Sequence, residues 1–150
     1  MSTVISIDQE ARTVDRLIEV LEQEQGCLIR ADLERMEGLL QEKSTLLHTL
    51  QQLAQERYQQ LAAAGYPGDE SGMSDWLQHH NEHAGQGVWL RMQQALLKAK
   101  ELNRINGVLI GRHVARNQQL LRALQGQSDQ FYGPSGQTMA VSRNRGSVVA

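Results

Sequence analysis

Residues 96–124, LLKAKELNRINGVLIGRHVARNQQLLRAL, carry the clearest sign of the fold in this sequence. Their apolar and amide side chains recur every seven residues along two neighbouring edges of a helix, the spacing at which packed helices meet. One edge carries Trp89, Leu96, Asn103, Ile110, Asn117 and Leu124, and the other carries Met92, Ala99, Asn106 and His113. A helix that only closed a core would carry Leu or Ile at most of these positions. The pattern therefore predicts a long amphipathic helix whose amide-rich face contacts a neighbour or a partner.

The amides on this face have two interpretations. A buried amide without a hydrogen-bond partner costs roughly 1 to 3 kcal/mol, so each needs a group to bind. In the first interpretation the asparagines fix the register of the helix against its neighbour in the bundle. In the second they contact another protein, and we predict a partner-binding surface on this helix. Its predicted members are Asn103, Asn106, Leu109, Ile110, His113, Asn117 and Leu120.

The composition is typical of long helices in one domain. The chain has 150 residues, only 4% aromatic side chains and two prolines, whereas Leu, Gln, Glu, Arg and Ala are abundant. The single cysteine, Cys27, excludes an intramolecular disulfide and suits a reducing compartment. The sequence shows neither a signal peptide nor 18 consecutive apolar residues. We therefore expect a cytoplasmic protein without direct membrane insertion.

Charge is distributed unevenly along the chain. Residues 8–87 hold 15 acidic and 6 basic side chains, whereas residues 88–150 hold 2 and 9. An acidic first helix and a basic last helix attract each other when they fold antiparallel, so the basic half is explained by complementarity within the chain. The basic residues are spread around the helix without interleaved aromatic side chains, which argues against nucleic acid as a partner.

The first half of the chain predicts one amphipathic helix, with breaks allowed. Ser6-Ile7-Asp8-Gln9 matches a capping box, which places the helix start near residue 7. Apolar residues then recur to Leu61, but their register shifts between Leu28 and Leu39, near two glycines, which marks a bend or a close crossing. An unbroken helix to residue 64 spans roughly 85 Å. Such a length indicates an elongated hairpin rather than a compact globule.

Residues 65–87 predict the turn of this hairpin. Gly65 and Pro67 end the first helix, and Ser74 is expected to cap a short helix that runs to His83. The glycines of residues 84–87 are expected to break the chain before the last helix, which runs from about residue 88 to Gly126. Trp76 and Trp89 are expected to plug one end of the bundle.

These elements predict an all-α fold: an elongated antiparallel helical bundle of three to four helices with coiled-coil-like packing. The bundle is expected to occupy residues 1–126. Residues 127–150 are polar and lack a sustained apolar period, so we expect a flexible C-terminal tail. Phe131 and Tyr132 lie beside a Gly-Pro pair in this tail. The tail is therefore either inert or a short motif that orders on a partner.

The search for catalytic chemistry finds no recognised motif. His79 and His83 have the i, i+4 spacing of metal ligands on one helix, but no H-E-x-x-H motif and no companion cysteine accompany them. Glu22 and Glu24, like other paired carboxylates of the first helix, have the pattern of ordinary exposed residues. We expect neither an enzyme nor a bound metal or other cofactor.

Three blocks of the sequence together resemble a known family. They are EKSTLL at residues 42–47, with Leu50, Leu53 and Arg57; LN at 102–103, NGVLI at 106–110 and RNQQ at 116–119; and YGPSGQT at 132–138. In this order and spacing the chain is similar to the FlgN-type flagellar export chaperones. The likeness covers nearly the whole chain, although residues 65–87 carry no motif of the family.

The resemblance implies an all-helical cytoplasmic chaperone for flagellar type III secretion. Such chaperones bind the hook-associated proteins of the hook and filament junction, prevent their premature assembly and deliver them to the export gate at the membrane. Tyr132 is positioned like the family tyrosine that engages the export gate, so Tyr132 and Gly133 are the expected docking residues. The chaperone itself requires no ATP or metal.

Two other functions fit the sequence as well. A homo-oligomeric coiled-coil scaffold or adaptor without a secreted client has the same periodicity. A helical metal-binding or enzymatic module requires His79 and His83 to act together. The preferred hook-associated protein and the choice between monomer and dimer stay open at this stage.

Overall fold

The computed structural model describes residues 5–80 and 82–131, and the side chains of 5–80 and 82–126. Within these ranges the chain forms four α-helices and no β-strand, which confirms the predicted all-α helical bundle. The helices are α1 (Asp8–Arg30), α2 (Leu33–Ala63), α3 (Glu70–His79) and α4 (His83–Phe131). None of them is long and apolar enough to cross a membrane.

The chain divides into two compact units, Met1–Leu109 and Ile110–Ala150. Unit 1 holds α1, α2, α3 and the first part of α4. Unit 2 begins within α4. The predicted boundary between a bundle and a tail after residue 126 falls where the described side chains end, and it stays a prediction.

The first half of the chain forms two helices, so the predicted amphipathic helix has one of the breaks that the prediction allowed. The break is at Ala31, whose φ of 55° is left-handed. The N–H of Asp32 donates to the carbonyl of Cys27 at 2.9 Å, which closes the last turn of α1. The break lies between Gly26 and Gly38, in the segment where the shift of apolar register indicates a bend.

The pairing of α1 with α2 is antiparallel. Glu10 near the start of α1 pairs with Arg57 near the end of α2, and Glu24 near the end of α1 pairs with Lys43 in the first half of α2. The residue numbers of both pairs have the same sum, as an antiparallel register requires. The turn at residues 31–32 therefore sets one register for the whole hairpin.

The first part of α4 runs parallel to α1 and antiparallel to α2. Ala99 packs with Leu17 and Leu21 of α1, and Asn106, further along α4, bonds to Glu24, further along α1. The acidic first helix and the basic last helix are therefore parallel, and the prediction that they pair antiparallel was wrong. The ion pair between the two halves of the chain, Lys98 of α4 with Glu22 of α1, joins parallel helices.

The end of α2 follows the predicted glycine stop. Gly65 has a φ of 87°, and its N–H donates to the carbonyl of Ala62. The N–H of Tyr66 donates to the carbonyl of Leu61 at 2.9 Å. These two bonds satisfy the carbonyls that the last turn of a helix leaves open, as in a Schellman motif.

The start of α3 differs from the prediction, because Asp69 rather than Ser74 caps it. The Asp69 carboxylate accepts from the Ser71 hydroxyl at 2.6 Å and from the Gly72 N–H at 3.1 Å. These bonds lower the pKa of the Asp69 carboxyl. A Cβ atom at Gly72 meets the Pro67 carbonyl oxygen at 1.8 Å, so the close approach of the turn admits only glycine there.

Both ends of α4 extend beyond the prediction. The helix begins at His83 and includes the expected break at residues 84–87, and it passes Gly126 to end at Phe131. A glycine inside a helix costs only about 1 kcal/mol relative to alanine. Such a cost does not end a helix whose neighbouring turns remain hydrogen-bonded.

The core of unit 1 is built around the two tryptophans. Trp76 of α3 and Trp89 of α4 are buried in one cluster with Val14 of α1, Leu61 of α2 and Met73 of α3. Both tryptophans therefore belong to the core, and their predicted role as a plug at one end of the bundle stays a prediction. Two further hydrophobic clusters lie along α1, one around Leu17 and one around Val20.

Candidate functional site

A buried polar network joins three helices at the amide-rich face of α4. Asn106 is only 1% exposed. Its Nδ2 donates to the carbonyl of Leu21 at 2.9 Å and to Glu24 Oε1 at 2.8 Å. The Lys43 ammonium of α2 donates to Glu24 Oε2 and to Asn103 Oδ1, both at 3.1 Å. This network fixes α4 against the α1–α2 hairpin, as the register interpretation requires for Asn106.

Glu24 was predicted to be exposed, and this prediction was wrong. Its side chain is fully buried and carries a hydrogen-bonded ion pair, whereas Glu22 is exposed and pairs with Lys98 at the surface. A signal was present in the sequence. Glu10 and Glu24 are each seven residues from Leu17, so both lie on the apolar edge of α1. Two acids on a buried edge indicate buried partners.

A second buried pair anchors the other end of the hairpin. Arg57 Nε donates to Glu10 Oε1 at 2.8 Å, and its Nη2 donates to Glu70 Oε1 of α3 at 3.1 Å. The guanidinium lies 4.8 Å from the ring centroid of Trp89 on α4. Glu70 also accepts from the Tyr58 hydroxyl, which raises the pKa of Tyr58. Arg57 therefore links all four helices of unit 1.

The predicted partner-binding residues of unit 1 differ in exposure. Asn103 is exposed and bonds to Lys43, whereas Asn106 is buried. Leu109 is half-buried and packs against the cluster that contains Val20 and Met36. Within unit 1, only Asn103 of this set presents an exposed side chain.

The predicted residues of unit 2 are more exposed. Ile110 is 37% and Leu120 is 58% exposed, Asn117 is also exposed, and His113 is half-buried. Large apolar side chains beside them are exposed as well, namely Val114, Leu121 and Leu124. All three were missing from the predicted set, although each lies three or four residues from one of its members. The described part of unit 2 therefore carries an exposed apolar face. We call the face formed by Ile110, Val114, Leu121 and Leu124 the unit 2 stripe.

The remaining candidate residues are not brought together. Tyr132 and Gly133 lie outside the described residues. His79 ends α3 and His83 begins α4, so the shared helical face that their spacing suggested does not exist. Among the described residues, no group of three or more His, Cys, Asp or Glu side chains is arranged to hold a metal ion.

Comparison with known proteins gives one match. The family model described as "FlgN protein" matches residues 3–140 of the chain. No curated protein and no solved structure matches this chain significantly. The matched range contains α1 to α4 and all three sequence blocks through Thr138.

Proposed function

Because the chain belongs to the FlgN protein family and is in general terms a flagellar export chaperone, we propose that its clients are hook-associated proteins. In this proposal it binds them before export, prevents their premature assembly, and delivers them to the export gate. The family is one of chaperones rather than enzymes.

The observation that carries the proposal is the unit 2 stripe. Ile110, Val114, Leu121 and Leu124 are all exposed, and they follow one another at steps of four, seven and three residues. An exposed apolar face with this spacing is a site for an amphipathic helix, because the side chains of a second helix fit between turns of the first. Client proteins that assemble through amphipathic helices need the apolar faces of those helices covered until export.

The polar members of the same face support reversible binding. Asn117 is exposed within the stripe and offers hydrogen bonds to a client. When the client leaves, hydrogen bonds to water replace them. In unit 2, Ile110, Asn117 and Leu120 are the proposed direct contacts, and in unit 1 the exposed Asn103 is proposed as a separate contact. Leu109 and His113, both half-buried, are proposed to border them, and Asn106 is proposed to act indirectly by holding α4 on α1.

Charge disfavours the alternative in which two copies pair through the stripe. Residues 110–126 contain Arg112, Arg116 and Arg122 and no acidic side chain. Two such helices side by side repel each other, whereas a helix with acidic flanks is attracted. The charge pattern therefore favours a different protein as the partner of this face.

Replacement of Leu120 by Asp tests the proposal. Leu120 is exposed, so the variant keeps its helicity and melting temperature, while a charge in the apolar contact weakens client binding. A lost anchor of this kind costs about 2 kcal/mol, or roughly 30-fold in Kd. Calorimetric titration with each purified hook-associated protein measures the change.

Leu97→Asp is the matched control. Leu97 is 69% exposed on the same helix and lies in unit 1, outside the predicted surface. The proposal requires that this variant binds clients like the wild type. Equal losses in the two variants, or no loss in Leu120→Asp, contradict the assignment of the client site to unit 2.

Delivery to the export gate is proposed to depend on Tyr132 and Gly133. The support comes from the YGPSGQT block, in which an aromatic ring stands beside a Gly-Pro pair that limits backbone freedom. Tyr132→Ala should leave melting temperature and client affinity unchanged but weaken gate binding and lower secretion. A lower melting temperature with normal gate affinity identifies Tyr132 as a structural residue instead.

A further inference from the structure

A groove in unit 1 is lined by the three long helices. It encloses about 210 Å³. Leu21 of α1 and Ala99 of α4 are buried at its floor, and Leu47 and Leu50 of α2 and Leu96 of α4 form its sides. Leu47 is 49% exposed, so the groove opens to solvent. An apolar cavity of roughly 150 Å³ can hold benzene; the groove therefore has room for one large apolar side chain.

The rim of this groove is basic. Lys43, Lys100 and Asn103 line it, and no acidic side chain is among its lining residues. Lys43 is paired with Glu24, whereas Lys100 is exposed and makes no ion pair within the described part of the chain. The rim therefore offers an unneutralised cation directly beside an apolar opening.

We propose that this groove is a second client-binding site, which receives an apolar side chain from an acidic amphipathic segment of the exported client. The apolar side chain enters between Leu47 and Leu96, and an Asp or Glu one helical turn away pairs with Lys100. The inference rests on the proposed function, because it takes the occupant to be a client. It adds a contact surface on α1 and α2, which the sequence did not single out.

The two occupants that the chain itself offers have the wrong charge. Residues 127–150 contain Arg143 and Arg145 against one acidic residue, Asp129, and the unit 2 stripe of a second copy is flanked by arginines alone. Either one places positive charge beside Lys100. A partner with acidic flanks gains attraction at the same place and associates faster for that reason.

Two variants of the full chain test the proposal with purified hook-associated proteins as probes. Leu47→Gln removes apolar contact at the mouth, and Lys100→Glu reverses the rim charge. Both positions are exposed, so melting temperatures stay unchanged. We expect each variant to weaken client binding about tenfold, and we expect the deficit of Lys100→Glu to shrink as salt is added, because salt screens exposed charges.

The matched controls are Leu97→Gln and Arg91→Glu, which change residues of α4 that are also exposed but do not line the groove. These variants should bind like the wild type. If the groove variants bind clients normally while Leu120→Asp does not, the groove site is overturned and the proposed function stands. If the wild type binds no hook-associated protein, both are overturned.

Two further results identify a different occupant and overturn the proposal. Tighter client binding by Lys100→Glu indicates that a basic segment, such as residues 127–150, competes for the groove. A change of sedimentation mass in Leu47→Gln indicates a second copy of the chain.

Discussion

The first part of α4, in unit 1, and its last described part, in unit 2, share one heptad pattern but differ in their surroundings. In unit 1 the pattern places Met92, Ala99 and Asn106 in a buried interface with the other helices. In unit 2 it places Ile110 and Leu120 in exposed positions. Periodicity thus shows which face of a helix makes contacts. It does not show whether the contact is with the same chain or with another protein.

The largest expected effect distinguishes the asparagines of the two parts. Asn106→Asp places a carboxylate within hydrogen-bonding distance of the buried Glu24, and an uncompensated buried charge costs about 3 to 5 kcal/mol. Asn117→Asp changes an exposed side chain and should alter the free energy of unfolding by less than about 0.5 kcal/mol. Urea unfolding of both variants measures the difference.

The stability loss in Asn106→Asp should depend on pH. Crowding with Glu24 raises the pKa of the introduced carboxyl above its value in the unfolded chain, so the charged form is the destabilised one. The loss in free energy of unfolding relative to the wild type should be largest at neutral pH. It should become smaller as the pH falls, because one carboxyl takes up a proton. Equal losses in Asn106→Asp and Asn117→Asp, or a deficit that grows on acidification, contradict the buried register role of Asn106.

A smaller effect is expected from apolar truncation in the two parts. Met92 is buried in the tryptophan cluster, so Met92→Ala should lower the free energy of unfolding by about 2 to 3 kcal/mol through lost contact and a cavity. Leu121→Ala, in the unit 2 stripe, should cost less than about 0.5 kcal/mol. Thermal and urea unfolding check both values. A large loss from Leu121→Ala contradicts the exposure of the stripe.

The smallest effect concerns the turn that folds α1 against α2. Ala31 adopts a left-handed conformation, which costs a non-glycine residue roughly 1 to 2 kcal/mol. Ala31→Gly removes this cost but adds unfolded-state entropy, so a net gain of about 0.5 kcal/mol is expected. The melting temperature should rise slightly while client binding is unchanged. A lower melting temperature shows that the turn does not need this conformation.

Much of the fold follows from local signals in the sequence. Gly65 ends α2 as predicted because only a residue tolerant of positive φ fits there, and the sparse tryptophans mark the core because they are the largest side chains available. The shift of apolar register indicates the segment that contains the break, but nothing local marks Ala31 itself, since alanine favours helix. The break is selected by distant pairs, Glu10 with Arg57 and Glu24 with Lys43, that form only when the hairpin closes.

The exposure of the candidate residues could not be predicted from the sequence. The heptad edge led to Ile110 and Leu120, which are exposed, and equally to Asn106, which is buried. The groove beside Lys100 could not be found from one helix, because residues of three helices line it. Sequence periodicity is a property of a single helix, whereas burial depends on what packs beside it.

Hydrogen–deuterium exchange of the full chain, with and without a bound hook-associated protein, separates the packed part of α4 from the part that a client covers. We expect α4 amides up to Leu109 to be protected in both states, because unit 1 already packs around them. Amides from Ile110 to Leu124 should exchange readily in the free protein and gain protection in the complex. Client binding that leaves exchange from Ile110 to Leu124 unchanged would contradict the account.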